Sequence, residues 1–112
     1  DQLNIKADGR VVSQSNAHSW INYDQSGTIV IRDSYNVSSI TDAATGYAKV
    51  YFDVDHGQSY YAAAGMAGNN KRLNNDGEGL NSAYLALYTW TAGGGGQADE
   101  SRVFAVTFGD TA

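Results

Sequence analysis

Apolar and polar residues alternate with a period of two through several short stretches of this chain. From Tyr47 to Phe52, Ala48, Val50 and Phe52 share one face, and Tyr47, Lys49 and Tyr51 share the other. From Ala83 to Thr91, Tyr84, Ala86, Tyr88 and Trp90 alternate with Leu85, Leu87 and Thr89, and Phe104, Val106 and Phe108 face one way in a last strand over 102–108. His18–Tyr23, the β-branched run Thr28–Arg32 and the segment Tyr35–Ile40 also read as extended, with turns at Asp24–Gly27 and Asp42–Gly46. Near the start, Leu3–Ala7 and Arg10–Ser13 flank Asp8-Gly9, a pair that tolerates positive φ and signals a two-residue hairpin. Ser59–Met66 is rich in alanine, but its flanking glycines favour a strand of small residues set against a close neighbour. Residues 67–82 read as a long polar segment, and the four glycines Gly93–Gly96 lead into a hairpin loop through Glu100. No segment carries a 3.6-residue period and no internal repeat is visible. The pattern predicts an all-β chain, an antiparallel β-sandwich of about seven or eight short strands.

Composition agrees and narrows the chemistry. The 112 residues include 13 glycines and eight tyrosines but no proline, so Gly, Asn, Asp and Ser must make the turns. A chain of this length buries roughly 65% of the surface it exposes when unfolded, enough for one core. Residues 17–112 are read as that domain, and residues 1–16 as a hairpin connector to whatever precedes them. The first residue, Asp1, suggests a piece of a larger polypeptide. Cysteine is absent, which removes disulfides and thiolate chemistry, and two histidines are too few for a His-rich metal site. A net charge of -5 with scattered basic residues argues against nucleic acid, whose binding needs a clustered basic surface. No run approaches 18 apolar residues and no charged-then-apolar leader opens the sequence, so neither membrane insertion nor a signal peptide is expected.

Three segments carry residues of a kind that could do chemistry. Asp53, Asp55 and His56 place two carboxylates at a strand end, where they could serve a hard cation or acid–base work. They lack further ligands nearby, and an acidic, soluble turn explains them as well. Asn74–Gly79 has ligand-type residues at the first, third and fifth positions of a calcium loop and Gly at the sixth. Its twelfth position is Leu85, where that loop needs a bidentate Glu. The glycine run is followed by no Gly-Lys-Ser or Gly-Lys-Thr, so it is no phosphate loop, and no Gly-x-Ser-x-Gly elbow occurs. The reading is therefore of a non-enzyme with no catalytic residue, metal or cofactor. What remains is surface: Tyr60, Tyr61, Tyr84, Tyr88 and Trp90, beside the polar loops, suit stacking on sugar rings, a protein interface, or simple packing.

The run Trp20-Ile21-Asn22-Tyr23-Asp24, followed by Gly27-Thr28-Ile29-Val30-Ile31-Arg32-Asp33-Ser34-Tyr35-Asn36-Val37-Ser38-Ser39-Ile40-Thr41-Asp42, resembles a segment of bacteriophage tail-fibre proteins. The strand Gly46-Tyr47-Ala48-Lys49-Val50-Tyr51-Phe52 and the closing Val103–Asp110 are similar to later elements of the same family. The turn Asp53–Gly57 departs from it, since the family usually has proline there. Residues 66–100 do not match closely.

The resemblance implies the distal head domain of a fibre, a homotrimer joined to other virion proteins. It implies a virion protein made in the host cytoplasm that attaches to a host-surface glycan or protein. Receptor contacts would then fall in 67–82 and 92–100 and on neighbouring aromatics: Tyr61, Asn69, Asn70, Lys71, Arg72, Tyr84 and Trp90. The small residues Ala62, Ala63 and Ala64 would let three backbones approach near a trimer axis. Two rival readings are a capsid or tail knob that builds the particle without touching a receptor, and a carbohydrate-binding module of a secreted enzyme. A depolymerase is a third, and Asp53 and Asp55 are its only candidate carboxylates.

Overall fold

Wherever the chain alternates it forms antiparallel strands, in a computed structural model that describes residues 4–5, 11–12, 17–68, 71–74, 80–91 and 96–111. In chain order these are β1 (Asn4–Ile5), β2 (Val11–Val12), β3 (Ser19–Asp24), β4 (Val30–Tyr35), β5 (Val37–Ala44) and β6 (Tyr47–Phe52). They continue as β7 (Ala62–Ala67), β8 (Lys71–Asn74), β9 (Tyr84–Thr91), β10 (Gly96–Gln97) and β11 (Val103–Phe108). β1 and β2 form a two-stranded sheet of their own, while the turn Asp8-Gly9 between them lies outside the described residues. The rest builds a β-sandwich. One sheet has four strands in the order β4-β3-β11-β7, and the other has five, β10-β9-β6-β5 with β8 also paired to β9.

The core is the space between the two sheets. Ile21 and Tyr23 of β3 and Val103 and Ala105 of β11 meet Ala48, Val50 and Phe52 of β6 and Leu85 and Leu87 of β9. Each fully buried Val or Leu here contributes about 1.5–3 kcal/mol. In β6 the inward set is Ala48, Val50 and Phe52, one of the two faces its period separates. In β11 the inward set is Val103, Ala105 and Thr107, so Phe104, Val106 and Phe108 lie on the outer face.

The boundaries differ from the sequence expectation at three places, each for a backbone reason. The extended segments read as Thr28–Arg32 and Tyr35–Ile40 are separated instead at the single residue Asn36, which holds a left-handed φ of 57°. Asn is one of the few non-glycine residues enriched in that region. Here Asn36 Nδ2 donates to the carbonyls of His18 (3.1 Å) and Val54 (3.0 Å), and its Oδ1 accepts from Val54 N (2.8 Å). The chain thus crosses from β4 in one sheet to β5 in the other within one residue. The turn expected over Asp42–Gly46 narrows to Thr45-Gly46, because β5 runs on to Ala44. Gly46 has φ 64°, and a Cβ there would meet Thr89 O and Ala98 N at 2.7 Å, so only glycine fits. The polar segment 67–82 contains β8, a strand formed by register pairing of Lys71–Asn74 with Tyr88–Thr91 and not by any apolar pattern of its own.

Candidate binding surfaces

The outer face of the five-stranded sheet collects most of the aromatic residues of β6 and β9. Antiparallel register sets Tyr47 opposite Tyr88, Lys49 opposite Ala86, and Tyr51 opposite Tyr84. Directly opposed side chains in such a pair are close enough to interact. The rings of Tyr47 and Tyr88 stack with centroids 4.3 Å apart and planes 14° apart, and those of Tyr51 and Tyr84 meet at 5.3 Å and 48°. Lys49 Nζ lies between the two pairs, 5.8 Å from the Tyr47 ring and 5.1 Å from the Tyr84 ring, within cation–π range. Beneath it Ala86 is fully covered. The ladder continues to Trp90, which lies opposite Arg72 of β8. With the Asn74 amide oriented to accept, Trp90 Nε1 donates to it at 3.3 Å. The face therefore offers aromatic edges and planes with Lys49 and Arg72 among them, in a chain whose net charge is negative.

The sequence-predicted contact residues divide. Arg72, Tyr84 and Trp90 share this outer face, Arg72 exposed and both aromatics half-buried. Lys71 turns the other way from Arg72, with its Nζ 3.9 Å from the carboxylate of Glu100. Glu100 is itself buried, and its Oε1 accepts from Ser101 N (2.9 Å), Ser101 Oγ (3.2 Å) and Arg102 N (3.3 Å). Tyr61 is a core residue at 5% exposure, and its hydroxyl donates to the carbonyls of Asn81 and Tyr84, both at 3.0 Å. Its neighbour Tyr60, at 87%, is the exposed one of the pair. Burial pushes the Tyr61 phenol up to about 12, opposed by the Asn81 backbone. Asn69 and Asn70 lie outside the described residues, as do most of the calcium-like loop (75–79) and of the glycine run (92–95). Ala62, Ala63 and Ala64 are exposed in β7, an edge strand. Ala62 and Ala64 lie in register with Phe108 and Val106 of the outer face, and Ala63 with the inward Thr107.

A third cluster is internal and was not legible in the sequence. His56 is sandwiched between His18 (3.6 Å, 23°) and Tyr61 (3.8 Å, 5°), with Phe52 edge-on to all three rings. His56 Nε2 lies 2.9 Å from Thr107 Oγ1, which in turn lies 2.6 Å from Ser19 Oγ. All of these groups are buried, so the hydroxyl–imidazole chain ties β3, β11 and the 53–57 turn together and is closed to a substrate. Burial, reinforced by the charge of His18, lowers the His56 pKa to about 4, against a small opposing effect of the Asp110 backbone. The pair His18 and His56 meets only because β3 and the segment after β6 close the same end of the sandwich. Among the described residues no group of three or more His, Asp or Glu is placed to hold a metal ion, and Asp53 and Asp55 gather no further ligand.

Compared with protein-family models, curated proteins and solved structures, the chain matches none.

Proposed function

We propose that this chain is a non-enzymatic head domain of a bacteriophage fibre, assembled from several copies, that attaches the virion to a host-surface glycan or protein. The observation that carries the reading is the outer face of the five-stranded sheet. There two tyrosine pairs, Lys49, Trp90 and Arg72 form one continuous strip. Aromatic side chains give large contact area with little rotamer entropy to lose, and their planes complement the C–H faces of sugar rings. Lys49 and Arg72 add donors for hydroxyl or acidic groups beside those planes. The resemblance of residues 20–52 to fibre proteins supplies the biological setting.

The test is binding of the purified chain to an array of bacterial surface polysaccharides. The parent chain is expected to bind a defined set of glycans, and the double variant Arg72→Ala, Trp90→Ala to lose that binding while keeping its far-ultraviolet spectrum. Unchanged binding by the double variant would remove this face from the reading.

A further inference from the structure

The outer face of the four-stranded sheet is apolar and open, and it has no part in the recognition strip on the opposite side of the sandwich. Its central row runs across all four strands as Tyr35, Trp20, Val106 and Ala64, set by the register of β4, β3, β11 and β7. On one side of that row Phe108 lies opposite Ala62, and on the other Phe104 lies opposite Met66. Trp20, Tyr35, Phe104, Phe108 and Met66 are exposed by 38, 37, 45, 40 and 62%. The Met66–Phe104 row continues through Asn22 to Asp33 on β4, and the ion pair of Asp24 and Arg32 at 3.2 Å lies beyond it at the same end.

We infer that this face is where copies of the chain pack against one another. Three observations select a second copy as the occupant. The first is area. With a whole aromatic side chain worth about 150–250 Å², the exposed parts of these five residues come to about 400 Å² of apolar surface. A standard interface buries about 800 Å² per partner, and homodimer interfaces are about 65% apolar, so the patch with Val106, Ala62 and Ala64 supplies about what one such face requires. The second is shape. Trp20 on β3 and Phe104 and Phe108 on β11 stand beside the small Ala62 and Ala64 of β7, so a rotated copy can set these rings over the hollow at the two alanines. Sheets that stack this way interdigitate at about 10 Å.

The third is the edge that borders the patch. Of the outermost strands, β4 carries Arg32 and Asp33 opposite a register shift, β5 carries Asp42 and two register shifts, β8 carries Lys71 and Arg72, and β10 is only two residues long. Those are the usual protections of a free edge. β7, Ala62–Ala67, carries no charge, and its pairing with β11 runs without a shift, while five of its six residues are exposed. An unprotected apolar edge beside an open apolar face is suited to an assembled state.

The experiment is light scattering of this chain over a wide range of concentration, on the parent and on Phe104→Lys, Met66→Lys and Ser39→Lys. The first two substitutions are on the proposed face and point outward, so each keeps the fold; circular dichroism checks this. Ser39 is exposed on β5 in the opposite sheet. The expected result is an oligomer for the parent and for Ser39→Lys, and the mass of one chain for Phe104→Lys and Met66→Lys. A parent that is monomeric at every concentration overturns the inference. So does an oligomer indifferent to both face variants, or one that Ser39→Lys splits equally well. The inference rests on the several-copies part of the fibre-head reading and shares its fate if the parent is monomeric; glycan binding is read from the other face, so failure of the recognition part gives a different result.

Discussion

The two sheets obey the same alternation, yet their outer faces are finished in different ways. On the five-stranded sheet the outward side chains cover one another: tyrosines pair across β6 and β9, Lys49 lies against two rings, and Ala86 beneath is sealed. On the four-stranded sheet the outward side chains cover one another less, with Phe108 opposite alanine, Phe104 opposite Met66, and the large aromatics more than a third exposed. The first face is stabilised within one chain and still presents ring edges and cations. The second leaves more of its apolar surface exposed. A count of outward hydrophobic residues would not separate them; their cross-strand partners do.

The largest effect that bears on this comparison is expected at Gly65. A Cβ there would run into the carbonyl oxygen of Phe104 and lie 2.6 Å from Leu73 Cδ2. Gly65→Leu should detach β7 from β11, removing the Ala62, Ala64 and Met66 side of the open face at a cost of about 3 kcal/mol or more. A urea midpoint close to that of the parent would contradict the close approach.

Acid should come next, and it acts where both sheets meet. His56 titrates near 4 when folded and at its ordinary 6.5 when unfolded, so as pH falls the unfolded chain takes up its proton first. The contribution is complete above about pH 6.5 and is lost progressively as pH falls to about 4, on the order of 2–3 kcal/mol. His56→Gln should flatten this part of the stability–pH profile, measured by urea denaturation at a series of pH values. A slope that survives the substitution would place the acid sensitivity elsewhere.

The two smallest effects test the comparison directly. Tyr88→Ala breaks the stacked pair with Tyr47 and should lower stability by about 1–2 kcal/mol. Phe104→Ser, measured at a concentration where the chain is monomeric, should change stability by no more than about 0.5 kcal/mol, as for a surface substitution without special partners. Equal losses from the two would mean that both faces are stabilised internally.

Much of the architecture was readable from residue order. Strand period, glycine and asparagine at the turns, and the absence of any helical period define an all-β chain. They also sort the residues of β6, β9 and β11 into two faces each. Alternation is local chemistry, so it survives without knowledge of the rest of the molecule. Arg72, Tyr84 and Trp90 could be picked out for the same reason, since they stand beside a polar segment or on an alternating strand. β8 could not, because Lys71-Arg72-Leu73-Asn74 becomes a strand only when Tyr88–Thr91 offers its edge.

Which face of a strand goes inside belongs to the tertiary structure. The period divides β11 into two sets but does not choose between them. The choice falls on Val103, Ala105 and Thr107, the smaller set, because Phe52, Leu85, Leu87, Tyr23 and Tyr61 already fill the space between the sheets. Protein interiors are close-packed and two sheets stand only about 10 Å apart, so three further bulky residues have no volume to occupy. The same constraint buries Tyr61 and leaves Tyr60 exposed, and brings His18 against His56 from distant parts of the chain. Local periodicity sets what each strand can present, and the shared volume of the core determines which side it does present.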